Sequence, residues 1–158
     1  MFREMAKKKQ SLSKEQIDRI LVNEKRGVLS VHGENGYPYG LPINYWYDPG
    51  TGNIYFHSGK KGHKIDAIRE NNKVSFCVYD GGYRKDDHWS LNISSVIVFG
   101  TLHLVPDGET ANRVYRQLSL KFTDDLDYID TEIEKFGKNT LCLELRPAHI
   151  SGKLVNEA

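Results

Sequence analysis

Apolar residues first recur at helical spacing, change near Gly27 to the alternation of strands, and return to helical spacing only after Val105. Ile17, Ile20 and Leu21 form a short stripe on one face of the first predicted helix. Ser13 and Gln16 stand in capping-box register ahead of it, and Leu12 can staple onto Ile17. Val28–His32, Tyr39–Tyr47 and Ile54–His57 read as strands one to three. The turns between them, at Glu34-Asn35-Gly36 and Asp48–Gly52, are short and predict a meander. Ser58–Lys64 then leads into a short helix through Ile65, Ala67 and Ile68, stopped by Asn71-Asn72.

Val74–Tyr79 is strand four, and Asp80–Trp89 is a polar loop of the length that often carries function. Ile93–Val105 reads as one long strand bent near Gly100. Pro106 and Asp107 open a helix with Ala111, Val114, Tyr115 and Leu118 on one side. Leu126, Ile129, Ile133 and Phe136 mark another, which Gly137 can cap. Leu141, Leu143 and Leu145 alternate with Cys142, Glu144 and Arg146 in a final strand. About six strands with separated helices predict an α+β protein with an antiparallel, barrel-like sheet; the βαβ rhythm of a Rossmann fold is missing. Residues 1–12 read as a polar N-terminal tail and 13–158 as a single domain.

Composition narrows the function classes. With 22 basic and 21 acidic residues the chain has no basic excess, so nucleic acid is not an expected partner. No apolar run approaches the roughly 20 residues that span a bilayer. Met1–Gln10 is polar and lacks the apolar core of a secretory signal, which makes the cytoplasm the expected compartment. Cys77 and Cys142 each sit in a strand-like run and read as small buried hydrophobes rather than a disulfide, ligands or a redox pair. The six histidines are scattered without zinc spacing, so no metal site is expected. There is no Gly-x-Ser-x-Gly elbow and no Walker sequence. The acidic run around Asp124, Asp125 and Asp127 is most simply a solvated helix start.

Two segments carry candidate chemistry. In Ile54–Lys64 a strand delivers the chain to a Gly-containing turn at which a helix begins. Helix starts present free N–H groups and a positive dipole end, while Gly59 and Gly62 permit close backbone approach. Ser58, Lys60, Lys61, His63 and Lys64 add a hydroxyl and positive charge suited to a phosphate. A solvated basic turn is the competing reading. In Gly36–Trp46, two prolines within a strand-like run argue for an edge strand. A flat ring laid along it could bond backbone groups and Asn44; the alternative is a plain barrel strand with a core asparagine.

In order and spacing these segments resemble the pyridoxamine 5′-phosphate oxidase-like FMN-binding split barrels, particularly the nitroimidazole-resistance group. The similar pieces are Gly36–Tyr39 with Pro42-Ile43-Asn44, Tyr55–Ser58 with Gly62-His63-Lys64, Ser94–Gly100, and Ile150–Lys153. The resemblance implies an antiparallel split β-barrel of six or seven strands with flanking helices, working as a homodimer with FMN at the subunit interface. It places Pro42, Ile43 and Asn44 along the isoalloxazine ring. His57, Ser58 and Gly59 fall near the ribityl chain and phosphate, and His63 and Lys64 on the phosphate. Ser95, Val96 and Ile97 border the flavin from one subunit or the other, and His57 is the candidate for substrate contact. The arginine-rich phosphate strand of true pyridoxamine phosphate oxidases has no counterpart here, which weighs against that substrate. The implied activity is flavin-dependent reduction of a nitroaromatic or similar small acceptor by a nicotinamide donor. A non-catalytic flavin- or haem-binding protein, an amine oxidase and a deazaflavin enzyme are the alternatives. The aromatic run Tyr45-Trp46-Tyr47 exceeds what one face of a small barrel can bury and so also suggests an interface.

Overall fold

The change of period at Gly27 marks where the sheet begins. A computed structural model describes all 158 residues. The helix α1 (Lys14–Asn23) precedes the sheet and is capped as expected. Ser13 Oγ accepts the Gln16 N–H at 3.2 Å, and the Ser13 N–H donates to Gln16 Oε1 at 2.8 Å. Leu21 is fully buried, and Ile17 nestles against Gly152, where a Cβ would stand only 2.6 Å away.

Seven strands follow: β1 (Arg26–His32), β2 (Pro38–Asn44), β3 (Trp46–Tyr47), β4 (Ile54–Gly59), β5 (Lys73–Tyr79), β6 (Asn92–Val105) and β7 (Thr140–Asn156). They form one antiparallel sheet in the order β2-β1-β5-β6-β7-β4-β3. This order corrects the expected meander. β1 and β2 are a hairpin, but the third predicted strand, β4, pairs with the closing strand β7 and with β3.

The second predicted strand is in fact two, broken at Tyr45. Its halves lie at opposite edges of the sheet. Tyr45 is wholly buried with its ring edge-on to Phe76 at 5.1 Å, which takes this residue out of the ladder. Pro38 and Pro42 cannot donate to a further neighbour, so β2 stays an edge. The chain therefore crosses from one edge to the other at Tyr45, and the sheet curls until β2 and β4 approach without pairing. The result is an α+β split barrel.

β6 bends where its glycine predicts. The register with β7 shifts between Phe99 and Gly100, and a Cβ on Gly100 would stand 2.2 Å from the Arg146 carbonyl oxygen. This bulge lets β7 continue past Pro147, so the final strand runs well beyond the predicted Leu141–Arg146.

The main core lies inside the curl, around Leu29, Phe56, Phe76, Val96, Leu143 and Leu145. α2 (His63–Glu70) contributes Ile65, Ala67 and Ile68 to it. α3 (Glu109–Leu120) lays Ala111, Val114 and Tyr115 over Tyr55 and Cys142 on the outer side of the sheet. α4 (Leu126–Phe136) ends at Gly137, which is right-handed (φ −54°) and runs into a 3₁₀ turn instead of forming a left-handed cap. Both cysteines are free; Cys142 is buried and Cys77 half-buried.

The run Tyr45-Trp46-Tyr47 turns out to be consumed within the chain. Tyr45 and Tyr47 are buried, and Trp46 stacks on Tyr55 at 5.5 Å beneath the Arg113 guanidinium. The N-terminal tail touches the barrel: the Leu12 N–H donates to Gly152 O at 3.0 Å, and Phe2 stacks on His149 at 4.9 Å. No helix is long and apolar enough to cross a membrane.

Candidate functional site

β4 ends in the turn that the sequence singles out, and α2 starts directly after it. Gly62 has φ +125°, which side-chain-bearing residues rarely adopt, and no atom lies within 4 Å of where a Cβ on Gly59 or Gly62 would be. The turn is open on this side, and Gly62 supplies no side-chain cap, so the first N–H groups of α2 are left to solvent or a ligand. Ser58 faces inward instead. It is buried, and its hydroxyl donates to Gly59 O at 3.1 Å, so it braces the turn rather than presenting a donor to its open side.

His63 is held from two sides. Its ring stacks on Tyr39 with centroids 4.3 Å apart, and its Nε2 accepts the Glu34 N–H at 3.3 Å. A nitrogen that accepts carries no proton, so the neutral ring keeps its proton on Nδ1 as the one remaining donor. Lys64 is half-buried, and burial lowers its pKa. The five ion pairs of the chain all lie elsewhere, leaving this ammonium without a carboxylate. His57 points to the outer side of β4 and keeps solvent access. Partial withdrawal from solvent lowers its imidazole pKa, and the Lys64 charge lowers it further. A lysine ammonium without a counter-charge, beside a helix start and an imidazole that can gain a proton, makes a donor set that fits a phosphate.

Across the split, β2 turns Tyr39, Leu41 and Ile43 onto the main core. Pro42 is exposed and Asn44 half-buried, so Pro42 and Asn44 can offer side chains outward while Ile43 can offer only its main chain. On β6, Val96 is fully buried and likewise has only backbone to present; Ser95 is half-buried and Ile97 exposed. These three residues are not brought to the turn. Ser95 and Ile97 lie opposite Lys153 and Ser151 of β7, whereas Ser58 and Gly59 lie opposite Leu141 and Thr140, about 30 Å away along that strand.

The outer face of the sheet carries a feature that strand periodicity alone does not reveal. Val28, Cys77 and Ile97 stand side by side across β1, β5 and β6. With Tyr79 and Phe99 they make an exposed apolar surface. A cavity of about 540 Å³ opens on the same face, lined among others by Ser30, His32, Tyr37, Phe99 and Thr101, and includes none of the expected site residues. The supports of His63, namely Tyr39 and the Glu34 amide, also left no sequence signal, because both depend on the fold of the β1–β2 hairpin against α2.

A family model described as pyridoxamine 5′-phosphate oxidase matches residues 13–154. No curated protein sequence matches the chain. Among solved structures, a candidate 5-nitroimidazole antibiotic resistance protein from Bacteroides thetaiotaomicron superposes with TM-score 0.77 at 20% identity, over 92% of this chain and 87% of that one. An FAD-binding protein from Mycobacterium smegmatis superposes with TM-score 0.67 at 19% identity, over 94% and 99%. A flavocytochrome from Azotobacter vinelandii does so with TM-score 0.66 at 17% identity, over 97% and 72%. At these identities the likeness is one of fold.

Proposed function

The chain belongs to the pyridoxamine 5′-phosphate oxidase family, and from that premise we propose that it binds FMN and reduces a small acceptor, such as a nitroaromatic, at the expense of a nicotinamide. The observation that carries this reading is the unpaired Lys64 ammonium beside His57 at the open start of α2, which the neighbouring His63 ties to β2 through Tyr39. Such a group is poised for a phosphomonoester, and the neighbouring edge strand offers main-chain groups, Pro42 and Asn44 to a planar ring. The resistance protein from Bacteroides and the FAD-binding protein from Mycobacterium support a flavin and this class of acceptor.

A bound flavin would supply the hydride and electron chemistry. The residues of the chain would do the rest. Lys64, the His63 Nδ1–H and the α2 amides would hold the phosphate. The main chain of Pro42–Asn44 would fix the tilt of the ring. His57, with a lowered pKa, would be neutral near pH 7 and could accept a hydrogen bond from an acceptor substrate. Ser95 and Ile97 would reach the site from a second copy, since in their own chain they lie opposite the far end of β7 from the turn. The exposed surface of Val28, Tyr79, Ile97 and Phe99 would be the face that this copy covers.

The test is the visible spectrum of the purified protein, followed by anaerobic addition of NADH or NADPH and then of a nitroimidazole. Oxidised-flavin bands that bleach with the nicotinamide and return with the nitro compound are expected. Flavin that no nicotinamide reduces would favour a carrier or sensor, and a Soret band would favour haem.

A further inference from the structure

Lys121 follows the last turn of α3 and reaches the crossing at Tyr45. Its Nζ donates to the Glu24 carbonyl oxygen at the end of α1 and to the Tyr45 carbonyl oxygen at 3.0 Å. The same ammonium stands 4.0 Å from the centroid of the Tyr45 ring. One side chain therefore binds the residue at which the chain leaves one edge of the sheet for the other, by its carbonyl and by its ring together. The Tyr45 N–H meets only Lys25 O, at a long 3.4 Å, and the Tyr45 hydroxyl has no partner. Lys121 is thus the strongest polar tie on this crossing.

We propose that Lys121 is a positioning residue for the ligand strand: by clamping Tyr45 to the end of α1 it sets the height and tilt of the Pro42–Asn44 main chain in the split. This rests on the flavin reading of that strand. β2 pairs with β1 on one side only, so its free side takes its geometry from the β1 ladder and from whatever fixes its end. The end is Asn44, and the next residue is the one that Lys121 holds.

The energetics favour a geometric role over a stabilising one. Burial depresses the pKa of Lys121 to about 8; Glu24 works against that shift and Lys25 with it. The charges of Lys25 and Arg26 are themselves turned onto the Phe122 ring, at 5.3 and 5.6 Å. A lysine held below its ordinary pKa costs the fold stability in its charged form. What a buried charge retains in return is definition of one arrangement among several.

The experiment compares the whole protein with Lys121→Met, which keeps the length of the side chain without donors, and Lys121→Arg, which keeps charge and donors. Amide exchange of the apo-protein and titrations with FMN and riboflavin are read in parallel. Exchange at residues 41–45 should quicken about tenfold in Lys121→Met, while residues 74–79 of β5 stay unchanged. FMN and riboflavin should both bind about tenfold more weakly, because the ring seat is disturbed and the phosphate seat is not. Lys121→Arg should restore both. Flavin affinity unchanged in Lys121→Met, or exchange unchanged at 41–45, overturns the proposal. If the wild-type protein binds neither flavin, the flavin reading is what fails, and the exchange arm still decides whether Lys121 clamps β2. Should Lys121→Met not fold, Lys121→Gln replaces it with an intermediate effect expected.

Discussion

The imidazole of His63 lies flat against the ring of Tyr39, 4.3 Å between centroids and 23° from parallel. The contact ties the start of α2 to β2, the two parts of the proposed site that would hold different ends of one ligand. Tyr39→Ala should free the histidine to rotate and cost FMN roughly 0.5–1.5 kcal/mol of binding, the worth of such a ring pair. Riboflavin should lose much less. Calorimetric titration with both ligands checks it, and equal losses would mean that Tyr39 acts through the core.

Removing the Lys64 charge should act on a neighbour as well as on the ligand. Lys64→Ala is expected to weaken FMN by roughly 1.5–3 kcal/mol, as for loss of a charge-assisted bond, and to leave riboflavin nearly unaffected. The His57 pKa should rise, since one of its two lowering influences disappears. An NMR titration of the imidazole protons reads that shift directly. In the wild-type protein a bound phosphate should raise the pKa values of His57 and Lys64 together, so FMN binding should take up protons and tighten as pH falls toward that of His57.

Much of this architecture is legible in the sequence, and the exceptions have physical causes. The capping box, the bend at Gly100 and the one-faced helices are local features, decided by residues within a turn or a strand of one another. The pairing of β4 with β7 is not local, since almost ninety residues separate Tyr55 from Glu144 across that ladder. The break at Tyr45 was hidden because an aromatic residue suits a strand and a core equally well. At the site, the glycines and cations of the turn could be read from their order. The inward turn of Ser58 and the two supports of His63 could not, because each depends on which face of β4 or β2 meets the core.

The apolar face of β1, β5 and β6 supports the dimer that the family resemblance implies better than the aromatic run Tyr45-Trp46-Tyr47 does. Val28, Ile97 and Phe99 are each more than a third exposed, and Tyr79 is more so. Ile97→Asp puts a charge at the β6 end of that row, while its side chain points away from the core. The wild-type protein should scatter light as a dimer and the variant as a monomer, with little change in the monomer's own fold. Flavin affinity should fall with dimerisation if the site is shared. A monomeric variant that keeps full affinity would restrict the site to one chain.

Lys121 should leave its own mark on the pH dependence of stability. Its pKa is about 8 in the folded protein against an ordinary 10.5, so the unfolded chain binds more protons between those values. The contribution to stability is present in full above about 10.5 and is lost as pH falls through about 8. Urea unfolding at about pH 7 and about pH 9.5 should show the wild-type protein gaining on Lys121→Met by about 1 kcal/mol, a figure reduced for the solvent screening of a partly exposed amine. Groups that titrate alike in both proteins cancel in that difference, including Cys142, whose thiol burial pushes up to about 12. A gain of the opposite sign would mean that the ammonium stabilises the fold outright, and that the carbonyls of Glu24 and Tyr45 repay its burial.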